Sequence, residues 1–161
     1  MNEELLLRVE AVCRERGLRL TPLRSLVLGL IARAERPLKA YEVLELISAP
    51  GTVAAPPTVY RTIDFLLEHG FVHKLESINA FAACRDPRAV HTGAFLICDR
   101  CRSADELLDE AFGDLVRRCA GRHGFAPHAQ TRTLEVHGLC TSCAELPDAH
   151  PKRRRHRGRR T

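Results

Sequence analysis

Four of the seven cysteines form two Cys-x-x-C motifs, one at Cys98 and Cys101 and the other at Cys140 and Cys143. This spacing lets both thiolates of a motif bind the same ion, and two such motifs complete the tetrahedral four-sulfur shell of structural zinc. The alternatives are a disulfide pair and a thioredoxin-like redox pair. A redox pair needs only one motif, placed at a strand-to-helix turn. The doubled motif therefore predicts a structural zinc site.

A second group of candidate ligands surrounds the first motif and consists of His73, Cys84, His91 and Glu106. Two imidazoles, a thiolate and a carboxylate suit Zn²⁺ better than harder ions. Each residue also has an ordinary explanation, as a wing residue, a half-buried apolar cysteine, a solvated loop histidine or a helix cap. Glu106 in particular ends a Ser103–Glu106 capping box. The shared neighbourhood of the four predicts a second zinc ion per chain, at a joint between two domains.

The length and composition constrain what carries these sites. A chain of 161 residues has room for one large domain or two small ones. Small domains bury only a small hydrophobic core, and a bound metal ion can supply additional stability. No signal-peptide pattern opens the sequence, and no stretch reaches the roughly 18 apolar residues of a membrane span. We therefore expect a cytoplasmic protein without a membrane partner, in a reducing compartment that favours thiolates over disulfides.

The net charge of +5 comes from the last residues. Residues 151–161 carry seven Lys or Arg and no acid, so the other 150 residues hold 18 basic and 20 acidic side chains, a net charge of −2. We expect residues 147–161 to be a disordered basic tail that either contacts phosphates nonspecifically or only aids solubility. A nucleic-acid interface within residues 1–150 depends on the local positions of the basic side chains, because the net charge of that region is slightly negative.

The first half of the chain predicts four helices. Apolar residues at helical spacing indicate helices over 3–16, from Thr21-Pro22 to before Pro37, from about Ala40, and from Pro56-Pro57 to before Gly70. Short helices with a tight connection before the last one are typical of a helix-turn-helix. A following hairpin over 71–76 and 80–84 would be the wing of a winged helix. A small helical bundle that binds another protein is the alternative.

The hairpin register carries a prediction about metal binding. A loop centred between Ile78 and Asn79 would place His73 directly opposite Cys84, close enough to share a metal. After a polar linker at residues 85–88, which we take as the domain boundary, the second half predicts a strand over 94–97. A helix from about Ala104 to Ala120 and a half-buried strand over 131–137 follow. His137 could orient a ligand of the second motif.

Several stretches together resemble the ferric uptake regulator family, most closely its zinc uptake regulator branch. They are Arg19-Leu20-Thr21-Pro22, Pro56-Pro57-Thr58-Val59-Tyr60-Arg61, Phe65-Leu66-Leu67-Glu68, Gly70-Phe71-Val72-His73-Lys74, Ile97-Cys98-Asp99-Arg100-Cys101 and His137-Gly138-Leu139-Cys140. The resemblance covers roughly residues 4–145. The family's iron and peroxide sensors carry a His-rich run at the hinge, where this chain has only Val90-His91-Thr92-Gly93.

The resemblance implies an α+β fold, in which an N-terminal winged helix-turn-helix domain precedes a small α/β dimerisation domain with a four-cysteine zinc site. The expected divisions are 1–84 for DNA binding, 85–92 for the hinge, 93–146 for dimerisation and metal binding, and 147–161 for the tail. Carried over by position, Cys98, Cys101, Cys140 and Cys143 would hold structural zinc, and His73, Cys84, His91 and Glu106 regulatory zinc. Tyr41 and Arg61 would approach bases, with Thr58 and Tyr60 near the DNA backbone.

The predicted function is a zinc-responsive repressor that binds double-stranded operator DNA as a homodimer when zinc-loaded and represses zinc-uptake genes. An iron-responsive regulator of the same family and a zinc-stapled interaction module are alternatives. A zinc enzyme is a third class, but no motif positions a general base, and we expect neither catalysis nor a small-molecule substrate.

Overall fold

The computed structural model describes residues 2–48, 55–88, 93–126 and 133–147. His91 and the predicted basic tail beyond residue 147 lie outside these ranges. The elements in chain order are α1 (Asn2–Glu15), α2 (Pro22–Arg33), α3 (Ala40–Ile47), α4 (Pro56–Glu68), β1 (Val72–Leu75), β2 (Ala80–Ala83), β3 (Ala94–Cys98), β4 (Ala104–Leu107), α5 (Glu110–Arg122), β5 (Leu134–Gly138) and α6 (Thr141–Ala144).

The first four helices begin and end at residues that the sequence marks. Thr21 accepts a hydrogen bond from the Arg24 amide at the start of α2, with Pro22 at the first helical position. Helix α4 ends at Glu68 and is followed by Gly70, whose φ of +72° favours a residue without a Cβ. There the Phe71 amide donates to the Leu66 carbonyl at 2.8 Å, closing the last turn in a Schellman motif.

These helices enclose one apolar core and hold the hairpin against it. Buried side chains from α1, α2, α3 and α4 meet Phe71, Val72 and Phe81 in one cluster. Leu38, between α2 and α3, pairs with Phe81 of β2 through two backbone hydrogen bonds of 3.0 and 2.7 Å. Four helices followed by a hairpin fixed in this way form the predicted winged helix.

The hairpin register differs from the predicted one. His73 pairs with Ala82, and Leu75 pairs with Ala80 across a four-residue turn from Glu76 to Asn79. The prediction that His73 lies directly opposite Cys84 was therefore wrong by two residues. The turn is longer than expected because Asn79 adopts a left-handed φ of 48°, and because Leu75 and Ala80 are both buried where they pair. Because the register differs by an even number of residues, His73 and Cys84 still lie on the same face of the hairpin.

The C-terminal residues form a three-stranded sheet in the order β4-β3-β5, with β4 antiparallel and β5 parallel to β3. The predicted helix from Ala104 was wrong in its first turn, because Ala104–Leu107 is strand β4. Helix α5 begins only at Glu110, where the Asp109 carboxylate accepts hydrogen bonds from the Ala111 and Phe112 amides. The proposed Ser103–Glu106 capping box is therefore wrong as well.

The two faces of this sheet have different surroundings. On one face, Phe95 and Ile97 of β3 are buried and pack with Leu75 and Ile78 of the hairpin. On the other face, Leu96, Leu134 and Val136 are large apolar side chains that remain exposed. The hairpin thus lies across the first face. A site built from side chains of both the hairpin and the sheet must therefore lie on this face.

In the ranges that the structure describes, no helix is both long and apolar enough to cross a membrane.

Candidate metal centres

The four cysteine sulfurs of the two motifs converge, each within 4.8 Å of the others. Cys98 ends β3 and Cys101 closes the turn after it, while Cys140 and Cys143 flank the start of α6. The Cys101 and Cys140 sulfurs are 3.8 Å apart. Tetrahedral zinc with bonds of about 2.3 Å sets neighbouring sulfurs about 3.8 Å apart, so the arrangement has the dimensions of a closed four-thiolate site.

Hydrogen bonds shift the pKa values of three of these thiols, two downward and one upward. The amides of Cys140 and Cys101 lower the pKa of Cys98 to about 6, and the Ser103 hydroxyl lowers the pKa of Cys101. For Cys143, a hydrogen bond with Cys140 and, after it, burial raise the pKa to about 12. Four thiolates so close together need a cation to be ionised together, which a dication supplies. None of the seven cysteines, all within the described ranges, forms a disulfide.

Three of the four predicted ligands of the second site also converge. Donor atoms of His73, Cys84 and Glu106 lie within 4.8 Å of one another. They come from the wing strand β1, from the residue after β2 and from β4, so the group joins the hairpin to the sheet. The fourth predicted ligand, His91, lies outside the described residues.

Glu106 is the most informative of the three, because its carboxylate is nearly inaccessible to solvent at 1% side-chain exposure. Its Oε2 accepts a hydrogen bond of 2.7 Å from the Arg85 amide, and its Oε1 lies 3.0 Å from His73 Nε2. Zinc would set such a nitrogen and oxygen about 3.4 Å apart, so a small outward movement of either side chain admits the ion. A carboxylate is buried like this only with charged or hydrogen-bonding partners.

Cys84 is buried after the last residue of β2, with its amide donating to the Phe71 carbonyl at 3.0 Å. Burial first, and then the neighbouring Glu106 carboxylate, raise the pKa of the Cys84 thiol to about 12. At neutral pH the thiol therefore holds its proton, which a metal ion must displace in order to bind the thiolate.

Gly93 also packs against this site, a role that the sequence did not indicate. A Cβ at this position would lie 2.9 Å from His73 Nδ1 and 3.1 Å from His73 Cε1. The His73 ring also meets the Phe95 ring edge-on, with centroids 5.2 Å apart. Gly93 and Phe95 together fix the imidazole plane, and only the absence of a side chain at Gly93 leaves room for it.

A second group of polar contacts joins the hairpin turn to β5, at the other edge of the sheet. Glu135 accepts hydrogen bonds from the amides of Glu76 and Ser77 at 2.7 and 3.1 Å, and a further one from the Ser77 hydroxyl. His137 lies between Ser77 Oγ, at 2.8 Å, and Asp99 of the first cysteine motif, at 2.9 Å. His137 was expected to orient a ligand of the second motif, but its ring contacts Ser77 and Asp99 instead, and Glu135 was not predicted. The signal was the alternation along β5, which puts both residues on one face.

The four residues predicted to meet DNA are all exposed. Tyr41 lies at the start of α3, and Thr58, Tyr60 and Arg61 occupy the first two turns of α4. Two of them are large aromatic side chains that lie outside the core, Tyr41 at 54% and Tyr60 at 48% exposure. Their exposure leaves them available to a partner but does not identify it.

Comparison with known proteins gives consistent matches. Residues 15–137 match the ferric uptake regulator family. The zinc uptake regulation protein of Escherichia coli (strain K12) is 41% identical over 157 residues, covering 96% of this chain and 91% of that protein. The zinc uptake regulation protein of Mycobacterium tuberculosis (strain H37Rv) is 25% identical over 130 residues, covering 79% of this chain and 95% of that protein.

Solved structures agree in fold and differ in how well the whole chain superimposes. Holo XcZur matches with a TM-score of 0.79 at 52% identity, covering 91% of this chain and 100% of that one. A zinc uptake regulator in complex with zinc and DNA matches with a TM-score of 0.78 at 42% identity, covering 90% and 96%. Apo XcZur, at 54% identity and 89% and 97% coverage, reaches a TM-score of only 0.53.

Proposed function

The chain belongs to the ferric uptake regulator family, and from that premise we propose that it is a zinc-responsive transcriptional repressor. It binds operator DNA as a homodimer when zinc-loaded and represses zinc-uptake genes. It is a regulator and not an enzyme. The observation that carries the proposal is the convergence of His73, Cys84 and Glu106 at the junction of wing and sheet.

The choice of zinc rests on the chemistry of the donors. A thiolate, an imidazole and a carboxylate form a borderline-soft set that suits Zn²⁺ better than Mn²⁺ or Mg²⁺. We propose two zinc ions per chain. A permanent one is held by Cys98, Cys101, Cys140 and Cys143, and an exchangeable one by His73, Cys84, Glu106 and, from outside the described residues, His91.

The arrangement of the chain supports a regulatory role for the second site. XcZur at nearly the same identity superimposes well in its holo form and poorly in its apo form, with TM-scores of 0.79 and 0.53. The two forms of that protein therefore differ in arrangement, and the present chain has the arrangement of the holo form. The match to the structure with zinc and DNA, at 0.78, points the same way.

The mechanism follows from what the second site joins. His73 belongs to the wing and Glu106 to the sheet, so an ion held by both would fix the hairpin on the sheet. We propose residues 1–84 as the DNA-binding domain, 85–92 as the hinge and 93–146 as the dimerisation domain. In a dimer, the angle between the domains sets the spacing of two recognition helices on operator half-sites. Zinc and DNA then favour the same arrangement, and each raises the affinity for the other by the same factor.

The dimer interface follows from the apolar surface that the single chain leaves exposed. Leu96, Leu134 and Val136 project from the outer face of the sheet, and Leu115 of α5 is 47% exposed. Only Gly113 of α5 is buried, although the helix is amphipathic. Exposed large apolar side chains such as these are expected to be covered by a second copy of the chain.

For DNA contact we propose that Tyr41 and Arg61 approach bases and that Thr58 and Tyr60 lie near the phosphate backbone. Helix α4 follows α3 as the recognition helix of a helix-turn-helix does, and its N-terminal turns carry three of the four side chains. Binding to operator DNA in turn implies a cytoplasmic location.

The proposal is tested by titrating a palindromic operator duplex with the protein at buffered free Zn²⁺, Fe²⁺ and Mn²⁺. Zinc is expected to raise the affinity for the operator far more than for a scrambled duplex, and Cys84→Ser is expected to abolish the rise. A stronger response to Fe²⁺ would favour an iron-responsive regulator instead. An operator affinity that does not change with any of the three metals would instead support a zinc-stapled interaction module.

A further inference from the structure

The sheet face beneath the wing carries two rows of paired side chains. Glu106, Phe95 and Glu135 lie side by side across β4, β3 and β5, and Ala104, Ile97 and His137 form the next row. The apolar centre packs against Leu75 and Ile78 of the hairpin. One edge thus presents Glu106 to the zinc site, and the opposite edge presents Glu135 and His137 to the hairpin turn.

The contacts at the β5 edge are directed at one short turn. Glu135 bonds both the Glu76 and the Ser77 amide, so its carboxylate occupies a position where the turn's backbone donors converge. Thr133 supports this arrangement, because its hydroxyl donates to the Lys74 carbonyl at 3.1 Å and lies 3.0 Å from the same carboxylate. Burial alone would raise the pKa of Glu135, but the hydrogen bonds from Ser77 and its neighbours lower it overall. The carboxylate is thus held in its charged form by the turn.

We infer that Glu135, with Ser77 and His137, forms a zinc-free latch that stabilises the wing-on-sheet arrangement and thereby sets the zinc concentration at which the protein binds operator DNA. This inference rests on the proposed function. The latch and the zinc site hold opposite edges of the same contact, so both favour the same closed arrangement. Through His137 and Asp99, the latch also connects the turn to the first cysteine motif.

The thermodynamic consequence is specific. If the chain without exchangeable zinc is mostly open, weakening the latch makes closing harder and zinc must supply the difference. The free zinc concentration for half-maximal operator binding then rises. At saturating zinc the chain still closes, so the maximal operator affinity changes little. A residue needed only for folding would instead lower the maximal affinity or the amount of folded protein.

The test compares the full-length wild type with Glu135→Gln and Ser77→Ala in operator titrations at buffered free zinc. Glutamine keeps one acceptor oxygen but offers an NH₂ group where the other oxygen accepted from Ser77. The loss of one charge-assisted hydrogen bond is expected to move the zinc midpoint about tenfold upward in Glu135→Gln, with a smaller shift in Ser77→Ala. Glu110→Gln, with the same charge change at an exposed position on α5, serves as the matched control and should keep the wild-type midpoint.

Each outcome bears on the inference. A raised midpoint in both variants, with saturating affinity and the content of tightly held zinc preserved, supports the latch. An unchanged midpoint in both, or a midpoint that moves equally in Glu110→Gln, overturns it. A fall in saturating affinity without a midpoint shift also overturns it, because that is the signature of a structural role. A wild type without zinc-dependent binding would overturn the proposed function together with the latch.

Discussion

Replacing Gly93 with alanine tests the geometry of the second site with the smallest possible change. The new Cβ would lie 2.9 Å from His73 Nδ1, whereas ordinary contacts begin at 3.4 Å, so the imidazole must retreat by about 0.5 Å. Zinc sites hold their ligand distances within about 0.2 Å. We therefore expect Gly93→Ala to weaken the second zinc site by about 10- to 100-fold, the loss typical of misoriented ligands. Overpacking next to Phe95 should also lower the free energy of unfolding by about 1–3 kcal/mol.

The measurement is a competition titration against a chromophoric zinc chelator, combined with metal analysis of the protein before and after chelation. Gly138→Ala is the matched control, since it lies in the same sheet and a Cβ there meets nothing within 4 Å. Only Gly93→Ala should lose affinity at the exchangeable site, and both variants should keep the tightly held ion. Equal zinc affinity in Gly93→Ala and Gly138→Ala would show that the position of the His73 ring does not matter for binding, and that His73 is not held in place as a ligand by Gly93.

Three further predictions address the ligands and the DNA-binding face. Because the Cys84 pKa is raised to about 12, the thiol is protonated at neutral pH and zinc binding releases that proton. The affinity of the second site should therefore rise about tenfold per unit between pH 7 and 8, and a flat profile in a zinc titration would contradict a Cys84 ligand. Cys140→Ser opens the four-sulfur shell, so thermal unfolding followed by circular dichroism should show loss of the C-terminal sheet, whereas an unshifted transition would exclude a structural ion. Arg61→Ala should weaken operator binding by about 1–3 kcal/mol if it reads a guanine, and an equal loss on a scrambled duplex would reassign it to phosphate contact.

Much of the fold could be predicted because local signals agree with the packing. Thr21-Pro22 and Gly70 mark helix ends through properties of single residues, and the structure uses them in that way. The four sulfurs of the two motifs also come together as the motif spacing indicates. The helix ends depend only on neighbouring residues, and each cysteine motif on a fixed local spacing, so both can be read from the sequence.

What could not be predicted depends on contacts between distant segments. Strand β4 reads as the first turn of a helix because Ala104–Leu107 has no apolar alternation. Its identity becomes clear only when Glu106 is seen buried beside His73 and the Arg85 amide. The hairpin register failed for a related reason, because the burial of Leu75 against Phe95 overrides the simplest turn. In β5 the residues that face the hairpin are the polar ones, Glu135 and His137, and a hydrophobic pattern assigns polar residues to solvent.

The central claim, that an exchangeable zinc ion clamps the wing onto the sheet, is tested most directly by measuring operator affinity and zinc content on the same samples during stepwise chelation. We expect operator affinity to collapse as the content falls from two zinc ions per chain to one, while the fold seen by circular dichroism persists. Operator affinity that stays constant until the last ion leaves would contradict it.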